Sequence, residues 1–139
     1  MNERAGPTEG PPENLSELDL LMEQLGRAGY LFHAFQVDRQ GPDLLAATRQ
    51  YVECADVVTL FDQTRAVAWR CPTGPAVDVF APAQVYWSYA SSPVWTLRAL
   101  LTLAPPGHPE APRDLAATPS GLGLPVHGRL PVQVRRRRW

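Results

Sequence analysis

Two thiols and one imidazole are the side chains in this sequence whose types could do chemistry: Cys54, Cys71 and His33. A cysteine within hydrogen-bond reach of a histidine makes a nucleophile and its base. The spacing gives that pairing no support. The cysteines stand far apart in the chain, and neither has a second Cys or His at metal-ligand spacing. A zinc site would have to recruit His33, His108 or His127 from distant positions. The neighbours of His33 are Phe32, Ala34 and Phe35, so it is expected as a packed core histidine, and the cysteines as buried, reduced thiols. Asp38 and Asp43 flank Gly41-Pro42, where Asp serves a turn, and Ser91 and Ser92 precede Pro93, where Ser caps a helix. The phosphate-cradling, dinucleotide, nucleophile-elbow and H-E-x-x-H patterns are all missing. Gly121-x-Gly123 has no helix to follow it. The expectation is therefore no catalytic residue, no metal and no cofactor.

Binding chemistry is better represented. Arg135, Arg136, Arg137 and Arg138 stand together before the terminal Trp139. Guanidinium groups clamp carboxylates bidentately, with a tryptophan as anchor, so the tail suits an acidic protein partner. It also suits nucleic acid, with about four phosphates neutralised and Trp139 stacked on a base. Tyr86, Trp87 and Tyr89, with Trp95 and Arg98 nearby, form a second candidate. Such a cluster is packed core, a stacking platform for nucleobases or an exposed protein-binding patch. The sequence contains no lysine and no isoleucine, while Ala, Pro, Arg, Leu and Val abound. That is the codon bias of a GC-rich, bacterial genome, and it explains the preference for Arg over Lys without invoking function.

Elements must position these groups. Asn14 with Glu17 three residues on reads as the start of a helix, with Leu18, Leu21, Met22 and Leu25 on one stripe and Gly26 or Gly29 at its end. Residues 30–37 read as a strand whose two faces are both mostly apolar. Gly41-Pro42 suits a helix start, and Leu44, Leu45, Thr48, Tyr51 and Val52 then predict a second helix ending near Cys54 or Ala55. Residues 56–61 and 65–71 read as a hairpin around Asp62, Gln63 and Thr64. A short strand is expected over residues 77–80, another over 85–89, and a third helix from Ser92-Pro93 through Leu103. Trp69, in the hairpin, is expected in the core.

After Ala104 the composition shifts: seven of the fifteen prolines fall between Pro105 and Pro131. Pro106, Pro109 and Pro112 lie on one ridge of a polyproline II spacer. Leu130-Pro131-Val132 suits an extended segment lying at the edge of a sheet, of this domain or of another protein. The domain reading is a disordered lead over residues 1–13, a compact domain over 14–104 and a Pro-rich arm with a basic tail over 105–139. The fold class is α+β, with three helices and a four- or five-stranded, mostly antiparallel sheet.

The net charge of -1 conceals an asymmetry: residues 1–62 carry -7 and residues 63–139 carry +6. Opposed halves attract weakly across a Debye length, which makes self-association possible without requiring it. No apolar run approaches the ~20 residues needed to span a bilayer, and the first residues do not resemble a secretory leader. The chain reads as a soluble, cytoplasmic, non-enzymatic interaction or regulatory module for another protein. An accessory nucleic-acid-binding protein is the alternative.

Overall fold

A computed structural model describes residues 11–35, 44–122 and 132–134, with side chains for all of these except 11–16 and 132–134. The first element, α1 (Pro11–Arg27), begins ahead of the expected cap Asn14. Pro11 and Pro12 occupy the first turn, where a missing amide hydrogen is harmless. Its end follows from Gly29, which adopts φ +98°. With Gly29 left-handed, the Tyr30 amide donates to the Leu25 carbonyl at 3.1 Å and the Gly29 amide to that of Gly26 at 3.1 Å. These are the paired bonds of a Schellman cap, and Leu25 and Tyr30 meet in the core beneath it.

Five antiparallel strands follow as a meander: β1 (Leu31–Phe35), β2 (Leu44–Gln50), β3 (Cys54–Leu60), β4 (Ala66–Pro72) and, after the short β5 (Gln84–Val85), β6 (Trp87–Ser91). Helix α2 (Pro93–Leu101) comes next, then β7 (Ala116–Ala117), which pairs with β5, and β8 (Val132–Val134), which adds to the outer edge of β1. The large sheet thus runs β6-β4-β3-β2-β1-β8.

The α+β class, the antiparallel sheet, the first strand, the hairpin and the helix after Ser92 all match what the sequence predicts. Two helices are found among the described residues, not three. The helix predicted after Gly41-Pro42 is strand β2. Its sequence, LLAATRQ, presents Leu45 and Ala47 to one face and Leu44, Ala46 and Thr48 to the other. A strand covered on both faces shows no alternation, so periodicity cannot separate it from a buried helix. Pairing with β1 on one side and β3 on the other then overrides the good helix propensity of Leu, Ala and Arg. The strand predicted over residues 77–80 is likewise absent. Asp78 accepts from the Phe80 amide at 3.0 Å, and the Val77 and Ala81 amides close turns onto Gly74 and Asp78. Val79 and Phe80 pack on the core from a loop, which accounts for their apolar character.

Cross-strand partners share a face, so the register sorts the core into two layers. One face carries Phe32, Ala47, Val58 and Ala68 and is covered by Leu21, Met22 and Leu25 of α1 and Leu97 and Leu100 of α2. The Thr96 hydroxyl ties α2 to the sheet through the Ala66 carbonyl, and Ser92 with Pro93 opens that helix as predicted. The other face carries Val57, Val67, Trp69 and Cys71 beneath Val79, Val85 and Leu122. The Trp69 indole donates to the Val79 carbonyl at 2.9 Å, pinning the covering loop. Among the described residues, no helix is long and apolar enough to cross a membrane.

On that second face Thr59 is completely buried and its hydroxyl has no hydrogen-bond partner. A buried unpaired hydroxyl costs about 1–3 kcal/mol, and valine has nearly the same shape without that cost. Thr59→Val is therefore expected to raise stability by about 1 kcal/mol. Urea denaturation checks this; an equal or lower midpoint would mean that the hydroxyl has a partner in solution.

Candidate functional site

The polar centre of the molecule is made by the β3–β4 hairpin. Its register places Asp56 opposite Arg70 on the helix-covered face, both nearly inaccessible to solvent. The pairing is side-on: Arg70 Nε donates to Asp56 Oδ1 at 2.6 Å and Nη2 donates to Oδ2 at 2.8 Å. The remaining guanidinium nitrogen, Nη1, donates to the Ala104 carbonyl at 2.7 Å, just beyond α2. Burial works against the charge on Arg70, but the bonds to Asp56 and its negative charge outweigh it and raise the guanidinium pKa above its ordinary value.

Aromatic rings enclose this pair. The Arg70 guanidinium lies over the Tyr51 ring, 5.6 Å from its centroid, and Arg49 lies over the same ring at 4.9 Å. Burial, and after it the negative charge of Asp56, raises the pKa of both Tyr30 and Tyr51, so both phenols stay protonated. Cys54 lies on this face too, with its thiol pKa raised by burial. Cys71 lies on the opposite face, and burial pushes its pKa up to about 12.

The thiol-imidazole pairing is excluded by this arrangement. His33 donates to or accepts from the Thr48 hydroxyl at 3.0 Å and meets the Phe80 ring edge-on. It shares a sheet face with Cys71, but strands β2 and β3 separate the two, which is roughly 14 Å across the sheet at ordinary strand spacing. Cys54 is on the other face from both, and the two cysteines are free, with side chains directed oppositely. Neither thiol is a thiolate near neutral pH, so neither is an activated nucleophile. Among the described residues, no group of three His, Cys, Asp or Glu side chains could hold a metal ion.

The aromatic candidates fall on the sheet edge. Tyr86 is half-buried just before β6, its amide donating to the Arg70 carbonyl at 2.7 Å. Trp87 and Tyr89 lie on β6 opposite Arg70 and Ala68. Their rings stack with centroids 6.3 Å apart and planes at 12°, both half-buried, and Trp87 rests against the helical core. Trp95 is apart from them on the outer face of α2, 57% exposed, with Arg98 over its ring at 5.0 Å; Arg98 also pairs with Glu17 of α1. Trp69 is core, but on the opposite face of the sheet from Trp87 and Tyr89 rather than in one cluster with them. Ser92 caps α2, whereas Ser91 pairs with Ala66 in the sheet. His108 is exposed and its Nδ1 accepts the Glu110 amide in a turn. Asp38, Asp43, His127 and the tail residues Arg135, Arg136, Arg137, Arg138 and Trp139 lie outside the described residues.

Comparison with known families and structures adds nothing to this geometry. No family model, curated protein or solved structure matches the chain. Function must therefore be argued from the site.

Asp56, Arg70, Arg49 and Tyr51 did not stand out as candidates in the sequence, yet a signal was present. The hairpin centred on Gln63 puts Asp56 and Arg70 at equal distances from the turn, and each is a charge in a strand of Val, Ala and Trp. Two opposite charges at mirrored positions of one hairpin are cross-strand neighbours.

Removing one member of a buried ion pair leaves the other charge uncompensated. Asp56→Ala is expected to lose about 3–5 kcal/mol, whereas the double variant Asp56→Leu with Arg70→Met should recover most of it. Chemical denaturation of the three proteins checks this; a double variant no better than the single one would contradict it. For His33, burial lowers the pKa from 6.5, so the unfolded chain takes up a proton before the folded one does. The contribution of His33 is thus complete above about pH 6.5 and is lost as the pH falls below it. His33→Gln should flatten the fall in stability between about pH 7 and pH 5; an unchanged slope would exclude His33 as its source.

Proposed function

We propose that this chain is a small non-enzymatic interaction or regulatory module that binds another protein, using Tyr86, just before β6, and Trp87 and Tyr89 on β6 together with the tail from Arg135 to Trp139. One observation carries the reading: β6 is an edge of the large sheet, and it holds a parallel-stacked Trp-Tyr pair that is half open to solvent. Aromatic residues held rigidly at low entropic cost are the common anchors of protein interfaces. An edge strand also offers unpaired backbone groups to an extended partner. The reactive side chains support the same reading from the other direction. Both thiols are protonated, His33 is engaged with Thr48, and Asp56 gives both oxygens to Arg70. Free thiols also suit a reducing, cytoplasmic setting.

The test is capture of partners by the tagged full chain beside Tyr89→Ala, Trp87→Ala and a chain lacking residues 135–139, with folding of each verified by circular dichroism. One reproducible protein retained by the wild type and lost from a folded variant is the expected result. Identical recovery by every variant would remove these residues from the interface. A mobility shift on nucleic acid that weakens steeply with salt and vanishes without residues 135–139 would favour the alternative, an accessory nucleic-acid-binding protein.

A further inference from the structure

The outer edge of β6 lacks the devices that usually protect an edge strand. Such strands are blunted by charge or proline, because their open backbone groups otherwise recruit another strand. β6 reads WSYAS, with no charged residue, proline or glycine. The uncharged stretch is far longer than the strand: from Val79 to Leu97 there is no Asp, Glu, Lys, Arg or His. Among the described residues, β6 pairs with β4 alone, and no loop backbone bonds to residues 87–91 from the outer side. The strand also keeps its access to solvent, with Ala90 exposed and Trp87, Ser88, Tyr89 and Ser91 half-buried.

We propose that β6 pairs with β6 of a second copy of this chain, joining two six-stranded sheets into one continuous sheet. The proposal rests on the protein-binding reading and names the partner at the same residues. A two-fold axis normal to the sheet pairs the strands antiparallel and keeps both helix layers on one side. Centred on Tyr89, it pairs all five residues: Tyr89 faces Tyr89 of the second copy, Trp87 faces Ser91, and Ser88 faces Ala90. Trp87 and Tyr89 lie on the helix-covered face, stacked with centroids 6.3 Å apart, so the two stacks adjoin at Tyr89. Helix α2 packs over β3, β4 and β6, and its two copies flank the axis above these rings.

Charge selects the second copy as the occupant. An uncharged strand meets no repulsion from its own image, and a net charge of -1 sets little long-range repulsion against two copies. An extended segment of a different protein is the other occupant that an edge strand accepts. β6 carries no charged group to select such a segment, whereas its own copy matches it in length and polarity residue for residue. Main-chain bonds supply the attraction, and the adjoining aromatic rings bury the centre of the contact. Each copy uses its β6 edge on the other, so the pairing closes at two.

The test is sedimentation velocity of the full chain over a range of concentrations, with amide hydrogen exchange on the wild type. The wild type should pass from monomer to dimer as concentration rises, and amides of β6 should exchange more slowly as it does. Ala90 is exposed, so a charge there spares the core, and the two Ala90 positions are diagonal neighbours about the axis, within reach of long side chains. Ala90→Lys and Ala90→Glu should each weaken dimerisation about tenfold or more, and their equimolar mixture should recover it. A wild type that is monomeric at every concentration, β6 amides indifferent to concentration, or a dimer insensitive to both charges would each overturn the proposal. No recovery in the mixture, or assemblies larger than two copies, would overturn it as well. A monomeric chain that still captures a different protein through Trp87 and Tyr89 would overturn it while leaving the protein-binding reading in place.

Discussion

The buried pair between Asp56 and Arg70 is the constraint around which the helix-covered face is arranged. Taking two ions out of water costs several kcal/mol each, and Coulomb attraction repays that only when geometry is good and the remaining donors are satisfied. Both conditions are met here. The contact is bidentate, and the third guanidinium nitrogen, Nη1, donates to the Ala104 carbonyl, so each nitrogen has a partner. Three elements converge on one guanidinium: β3 through Asp56, β4 through Arg70 itself, and the chain leaving α2 through Ala104. An apolar pair would fill the same space, but it would not specify where the segment after α2 must dock. Tyr51 lies against Arg70 at the end of the sheet, and at Tyr30, beside the Schellman cap that terminates α1, burial and after it the charge of Asp56 raise the pKa.

Small buried residues explain why the sheet can carry layers on both faces. Ala46 and Ala47 on β2 and Ala66 and Ala68 on β4 are small residues at central positions, letting the helices on one side and the loop with Val79, Phe80 and Leu122 on the other approach closely. Phe80 closes the second layer by meeting both Phe35 and His33 edge-on. His33 is consequently held neutral by packing, and its bond to Thr48 satisfies the one nitrogen that faces the sheet. The imidazole is part of the layer's structure, which is how its apolar neighbours read in the sequence.

What the sequence disclosed and what it concealed follow from the same physics. The hairpin from Cys54 to Pro72 was legible because its turn residues, Asp62 to Thr64, sit between Val-rich runs, and Asp62 does bond the Thr64 amide and hydroxyl. Helix α2 was legible from Ser92-Pro93, a local capping signal that needs no tertiary context. β2 was hidden because burial on both faces erases the alternation by which strands are recognised. The segment Val77 to Phe80 misled for the converse reason: its apolar residues are buried, but Asp78 and Gly74 bend the backbone into turns. Trp87 and Tyr89 are two apart on one strand and share a face, whereas Trp95 belongs to a helix and projects elsewhere. The Asp56–Arg70 pair required register, which the hairpin supplied, and burial, which no local pattern reports.

Burial also decides which charges are left to act. It keeps both thiols protonated and the imidazole neutral, and the Asp56 carboxylate is held by the fork of Arg70. Guanidinium groups cannot be silenced in this way, because their protons are not lost at any physiological pH. Arg70 is therefore answered by Asp56 and Ala104, Arg98 by Glu17, and Arg65 by the face of Phe61. Arg49, like Arg65, lies over a ring, that of Tyr51. Each arginine of the described residues thus keeps its charge whatever its partner, so electrostatics at these positions respond to ionic strength rather than to pH.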